Sequence, residues 1–254
     1  AKIVGADKKT DLALLKIKDS GTYPYVQFGD KPPKVGDWVV AVGNPFGLGG
    51  TVTAGIVSAR GRDIGSGPYD DYLQIDAPVN RGNSGGPTFD AAGQVVGVNT
   101  AIYSPSGGSV GIGFAVPAEV AREVVASLKD KGVVSRGYIG VQIQPVSQEI
   151  ADSMGLKDTK GALVAETTDD GPAADAGIKS GDVIVGVNDQ SVETPRELAR
   201  KIAALGPGKE VKLTYLRGGS EKTTEVKLAQ LPRDKEARAA PSDRDKSSMS
   251  SLGL

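Results

Sequence analysis

The chain has 254 residues, room for one large or two ordinary domains, each able to bury a core. A formal net charge of −1 gives no electrostatic reason to expect nucleic acid or an anionic membrane as partner. It has no cysteine, which excludes disulfides and thiol chemistry while permitting an oxidising compartment, and it has no histidine at all.

Thirty-five glycines, few aromatics and many Val/Ile-rich runs predict a mainly β chain with many turns. No apolar run approaches the length of a membrane span, and no signal peptide is visible. Residues 1–4 read as a strand entered midway and without an initiator Met, so a longer polypeptide is expected. A polar turn at 5–10 leads to a second strand at 11–17, apolar on both faces near its start and therefore expected to be buried. Asp11 opens that strand, either as a turn carboxylate capping the loop or as a functional one. Residues 18–37 form a polar connection, and 38–42 are a strand ended by the glycine-rich loop 43–50. That loop lacks the Gly-Lys-Ser/Thr ending of a phosphate cradle, and a strand at 51–59 follows it instead of a helix, so a hairpin is the simpler account. Residues 72–75 return as a strand after the loop 60–71.

Next comes Gly82-Asn83-Ser84-Gly85-Gly86-Pro87. As bare composition it is a turn between strands, because Gly and Asn tolerate positive φ. As chemistry, it would expose a serine hydroxyl on a tight turn with backbone N–H groups nearby for an oxyanion. The full run resembles the nucleophile loop of chymotrypsin-fold serine proteases. That resemblance implies Ser84 as nucleophile and Gly82, Asn83 and Ser84 as the oxyanion hole. In that fold the chain order is His, Asp, Ser, which makes Asp11 the carboxylate that orients an imidazole. The runs Thr10-Asp11-Leu12-Ala13-Leu14-Leu15 and Gly43-Asn44-Pro45-Phe46-Gly47-Leu48 further resemble the HtrA/Deg proteases. Strands at 94–102 and 110–116 follow, at the spacing of a barrel or sandwich. By the same resemblance Asn99, Thr100, Ala101 and Ile102 line the substrate pocket, whose aliphatic walls suit a Val-, Ala- or Leu-sized side chain with loose preference.

After Pro117 the period changes. Val120, Val124, Val125 and Leu128 share a helical face, and Gly132 suits its C-terminal end. From Gly137 the pattern is α/β, with a strand at 138–143, short helices at 147–154 and 171–177, and a strand near 183–187. Thr194-Pro195-Arg196-Glu197 is a capping box with Pro at the first helical position, opening a helix to about 205. Two strands finish the module. The spacing of Gly171-Pro172-Ala173-Ala174-Asp175-Ala176-Gly177 and Gly181-Asp182-Val183-Ile184 resembles a PDZ domain. The resemblance implies capture of a C-terminal peptide beside Tyr138, Ile139, Gly140 and Val141, with Leu198, Ala199 and Ile202 on the far wall. Those three are equally well read as ordinary core.

The expected architecture is thus a trypsin-like double β-barrel, incomplete at its N-terminal side, over 1–133. A PDZ domain over 137–229 follows, then a charged linker over 230–254 toward a second PDZ. Membership of the HtrA/Deg family implies ATP-independent endoproteolysis of unfolded polypeptides, without cofactor or metal. The family works in the bacterial periplasm as trimers or larger cages. The segment carrying the general-base His is absent from these residues. A fragment of an active protease is therefore expected, with a polypeptide-holding pseudoprotease or a PDZ adaptor as the other readings.

Overall fold

The computed structural model describes residues 1–232, so the linker expected at 230–254 lies almost wholly outside the described residues. Two compact units form, one over Ala1–Val134 and one from Ser135 onward.

The first unit opens with an antiparallel hairpin, β1 (Lys2–Asp7) and β2 (Leu12–Lys16). Its body is a closed barrel of β3 (Trp38–Gly43), β4 (Thr51–Arg62), β5 (Tyr72–Ile75), β6 (Pro87–Asp90), β7 (Val95–Ile102) and β8 (Gly113–Pro117). The strands close in the order β3-β4-β5-β8-β7-β6. Alternation along the strands sends Val39, Ala41, Val57, Ile75 and Val96 into the barrel, all buried, while Trp38 on β3 faces out. The double barrel expected from the sequence is therefore one closed barrel and, among the described residues, a two-stranded hairpin.

Helix α1 (Ala118–Lys131) closes this unit, burying Ala118, Ala121, Val124 and Leu128 on one face. Gly132 ends it in the left-handed region and donates its N–H to the Leu128 carbonyl, with Lys129 and Lys131 in the last turn. The expectation that β2 is buried fails. Leu15 is 58% and Ile17 50% exposed, and Ile3, paired directly with Leu15, is 68% exposed. Among the described residues, only one side of the hairpin has a layer on it. There Leu12 packs on Tyr72, Phe114 and Val116, and α1 runs against both strands.

The second unit contains β9 (Gly137–Tyr138), β10 (Val141–Gln144), α2 (Gln148–Met154), β11 (Ala162–Thr167), α3 (Pro172–Asp175), β12 (Val183–Val187) and β13 (Gln190–Ser191). It continues with α4 (Pro195–Leu205), β14 (Glu210–Arg217), β15 (Ser220–Lys227) and β16 (Ala229–Gln230). The main sheet runs β10-β11-β12-β14-β15, with β13 on β12, while β16 pairs β9. Its core joins Ile139, Val164, Ile184, Leu198, Ile202 and Leu213. The strand expected at 138–143 is broken at Gly140, whose φ of 75° lies in the left-handed region. At α4 the Thr194 hydroxyl accepts from Glu197 N–H at 3.1 Å, as the capping box predicts. The Glu197 carboxylate reaches one residue further back than the motif requires and accepts from Glu193 N–H at 2.8 Å.

Candidate active site

Ser84 sits between β5 and β6 on a turn that two neighbours hold and that also closes on itself. Asn44 N–H donates to the Gly82 carbonyl (3.3 Å) and Phe46 N–H to the Arg81 carbonyl (2.9 Å), so the loop after β3 grips one side. On the other side Gly85 N–H donates to the Asn99 carbonyl (2.8 Å), and Asn99 N–H to the Gly86 carbonyl (2.9 Å). Asn80 and Asn83 close the turn on itself. Asn83 N–H donates to the Asn80 carbonyl (3.0 Å), and Asn80 N–H to Asn83 Oδ1 (3.3 Å).

Ser84 itself is exposed, whereas Asn83 beside it is buried. The serine hydroxyl donates to the Thr100 carbonyl at 2.9 Å. The Thr100 hydroxyl donates to Asp11 Oδ2 at 2.5 Å. One residue of β7 thus joins a carboxylate and a serine that lie 73 positions apart, Asp11 to Ser84. Asp11 holds a left-handed backbone (φ 56°) at the hairpin turn, a conformation in which Asp is better tolerated than most residues. Tyr72 lies close enough to feel that charge. Burial pushes its phenol up, the Ser66 hydrogen bond pulls it down, and the Asp70 and Asp11 carboxylates raise it further.

Two sequence expectations are adjusted by this geometry. The Asn83 N–H, expected to face an oxyanion together with those of Gly82 and Ser84, is instead engaged by Asn80 within the turn. The Asn99 side chain, expected on the pocket wall, is buried and points to β6. There its Oδ1 accepts from Thr88 Oγ1 (2.7 Å) and its Nδ2 donates to the Pro87 carbonyl (3.4 Å). Thr100, Ala101 and Ile102 are half-buried. A register irregularity between Asn99 and Ala101 leaves Ala101 on the Tyr72–Phe114 cluster and Ile102 on the barrel core. The sequence assigned Thr100 only to a pocket wall. Nothing local signals its link to Asp11, because the two are 89 residues apart.

Gly82 is the position where a side chain is least tolerable. Its φ is 105°, and an added Cβ would stand 2.3 Å from the Asn44 carbonyl oxygen, against backbone that cannot swing away. Gly82→Ala is therefore expected to shift the turn and lower kcat of the full-length protein by about 100-fold or more, in the range seen when one oxyanion donor is lost. Steady-state kinetics on a chromogenic peptide would read this. A kcat within a factor of about three of the parent would contradict it.

In the second unit, Ile139 and Gly140 join β9 to β10, with Gly140 at φ 75°. The Ile139 carbonyl accepts from Ala173 N–H and the Gly140 carbonyl from Thr168 N–H, both at 2.8 Å. Tyr138 Oη and Thr168 Oγ1 lie 3.2 Å apart in a further hydrogen bond. Strand β10 is the first in its sheet and pairs only with β11, so its other edge is open among the described residues. Ile139 is buried and Val141 half-buried against the same core as Leu198 and Ile202, which are 1% and 4% exposed. Core is what Leu198 and Ile202 form here, while Ala199 beside them is half-buried.

A serine presented by a braced glycine turn on an antiparallel barrel, with a carboxylate one residue removed, fits a trypsin-like peptidase scaffold, here followed by a second unit built on an antiparallel sheet with an open edge strand among the described residues. Residues 1–98 match the trypsin-like peptidase domain and residues 137–228 the PDZ domain. A probable periplasmic serine endoprotease, DegP-like, of Rhizobium meliloti (strain 1021) is 61% identical over 235 residues, spanning 92% of this chain and 47% of the relative. One of the same description from Rickettsia conorii is 48% identical over 233 residues, 90% of this chain and 46% of the relative. The chain spans about half the length of the curated relatives it matches. Among solved structures, the HtrA-type protease AlgW with decapeptide is 43% identical with a TM-score of 0.79, covering 91% of this chain and 72% of that one. The serine endoprotease from Yersinia pestis is 36% identical with a TM-score of 0.66, covering 91% of this chain and 75% of that one. The chain belongs to the HtrA-type, DegP-like family of serine endoproteases.

Proposed function

We propose that the full-length protein containing this chain is a serine endopeptidase of the bacterial periplasm that degrades unfolded or misfolded polypeptides independently of ATP. The observation that carries this is the exposed Ser84 hydroxyl, joined to Asp11 through Thr100 alone. The relatives' description as periplasmic endoproteases supports the compartment and the reaction.

The reaction is acyl transfer. Ser84 Oγ attacks the scissile carbonyl carbon as its proton passes to a general base, and the Gly82 and Ser84 N–H groups receive the oxyanion. The amine leaves with that proton, and water then cleaves the acyl-enzyme by the same steps in reverse order. Asp11 orients the base and stabilises its protonated form. Since the 254 residues include no histidine, the imidazole comes from polypeptide outside them. Until it is supplied, the Ser84 hydroxyl keeps its proton and donates it in a hydrogen bond to the Thr100 carbonyl, which cannot act as a base. Thr100, Ala101 and Ile102 form the wall for the residue before the scissile bond, with Asn99 contributing backbone. A trimer or larger cage, by family resemblance, is the assembly in which this operates.

In the second unit, the open edge of β10 receives a substrate or activator C-terminus as an added strand. The Ile139 and Gly140 carbonyls are turned to the 168–173 segment, and in this reading the backbone N–H groups at the break receive the terminal carboxylate. Val141 and the half-buried Ala199 of α4 bound the groove, with Leu198 and Ile202 as the core beneath them. Solved relatives hold a decapeptide and a tripeptide, which supports peptide recognition in this family.

A fluorophosphonate added to the full-length protein is expected to form a one-to-one adduct that peptide mass mapping places on Ser84. Failure to label a folded preparation would leave the holding or adaptor role, which the absence of histidine favours for this chain alone. For the second unit, Gly140→Val is expected to weaken binding of a fluorescent peptide with an apolar C-terminal residue at least about 10-fold. The reason is that a β-branched residue is strained at φ 75°. Anisotropy titration measures this, and an unchanged affinity would place the peptide elsewhere.

A further inference from the structure

The side chains of β10 divide cleanly between the two faces of its sheet. Val141 and Ile143 pack on the core that α4 closes. Gln144 pairs directly with Leu163, which belongs to the other cluster, under α2. Gln142 and Gln144 therefore project from the α2 face, and both are exposed. Gln142 is paired with Glu166 of β11, and its Nε2 donates to Glu166 Oε2 at 2.8 Å. A carboxylate only accepts, so the nitrogen end of the amide is the one turned to β11. The amide oxygen is left as an acceptor with no donor on it among the described residues. Behind it stands a negative charge whose one partner there is that neutral amide. Helix α2, on the same face, adds Glu149 and Asp152 and carries no Lys or Arg.

We propose that Gln142 and Glu166 form a specificity element for the penultimate residue of a bound C-terminal peptide, selecting Lys or Arg there and rejecting Asp or Glu. This selection rests on the reading of β10 as the peptide-receiving edge. A carboxylate held at the 139–140 break lies ahead of β10, so the peptide runs antiparallel to that strand. Its side chains then alternate in step with those of β10. The last residue and the third from the end face the α4 side with Val141 and Ile143, and the penultimate one stands beside Gln142. A Lys or Arg at that place donates to the Gln142 oxygen and lies along it toward the Glu166 charge. An Asp or Glu meets an acceptor with nothing to give it, and a like charge behind. Gln142 makes the contact, and Glu166 orients it and supplies the sign.

The test uses the full-length protein carrying Ser84→Ala, so that peptides are not cut. Three fluorescent peptides share an apolar C-terminal residue and differ only in a penultimate Lys, Gln or Glu. By anisotropy at low salt, the Lys peptide is expected to bind about three-fold more tightly than the Gln peptide and about 10-fold more tightly than the Glu peptide. The Lys-to-Glu ratio is expected to fall below about three-fold at ~1 M salt, where exposed charges are screened. Glu166→Gln should bring the Lys and Glu peptides within about two-fold of each other while leaving the Gln peptide unchanged, and Glu166→Lys should invert their order. A merely structural role for the pair would weaken all three peptides alike. Equal affinities in the parent, or a ratio that survives Glu166→Gln, overturn the proposal. Two controls isolate the edge itself. If no peptide binds, or if amidating the C-terminus of the Lys peptide costs nothing, the reading of β10 falls and this selection with it. If binding needs the free carboxylate but ignores the penultimate charge, only the selection falls.

Discussion

Ser84→Ala is expected to reduce kcat of the full-length protein by ~10⁶-fold and Asp11→Asn by ~10⁴-fold, leaving residual turnover from binding and the oxyanion donors alone. On the proposed mechanism the two residues do different work, so the two effects differ. Without the hydroxyl there is no acyl-enzyme. Without the carboxylate the nucleophile and donors remain, but the imidazole is misoriented and its cationic form unsupported. Because the groups act as one unit, the double variant should be no slower than Ser84→Ala. Thr100→Val offers a graded control, since it removes the 2.5 Å hydrogen bond to Asp11 and keeps the carbonyl that faces Ser84. A bond to a charged group is worth about 1.5–3 kcal/mol, so a loss of roughly 10- to 100-fold is expected. Single-turnover measurements with active-site titration would read all of these. An Asp11→Asn enzyme retaining more than about a tenth of parental kcat would remove Asp11 from the machinery.

Asp182→Ala is expected to destabilise the second unit by about 2–3 kcal/mol, moving its unfolding midpoint down by roughly 10–20 °C. Asp182 is 1% exposed. Its carboxylate receives Arg217 through both Nε and a terminal nitrogen, each at 2.6 Å, and also Lys179 N–H at 2.7 Å. Arg217 in turn donates to the Gly177 carbonyl (2.7 Å) and lies over the Tyr215 ring, 5.0 Å from its centroid. The carboxylate is the hub of the loop joining α3 to β12. Removing it strands a backbone donor in a dry site and leaves a guanidinium with half its partners. The guanidinium side is 31% exposed, so water replaces some of what Arg217 loses, which is why the cost falls just under the ~3–5 kcal/mol of breaking a fully buried pair. Calorimetry on the second unit's transition would check the shift, and a change under about 3 °C would show that the loop is held by its backbone alone.

Much of this was legible in the sequence because local chemistry and tertiary need agree there. Thr194 with Glu197 starts α4 where the capping box says, and Gly132 ends α1 where an αL residue is required. The serine turn announced itself through glycines that the packing against Asn44 and Val42 demands. Long-range hydrogen bonds were not legible. Thr100 on Asp11 and Asn80 on Ser109 depend on where the barrel carries each strand, and neither leaves a trace in spacing. Burial of β2 was misread for a related reason. A continuous apolar run normally means covered on both faces, but here one face has no layer among the described residues. The break at Gly140 was invisible to periodicity, since flanking residues alternate as a strand should and only φ reveals the turn.

The bare aliphatic row of Ile3, Leu15 and Ile17 has a colloidal consequence. A two-stranded ribbon whose outer edges lack neighbours among the described residues offers both backbone donors and greasy contacts to whatever strand arrives first.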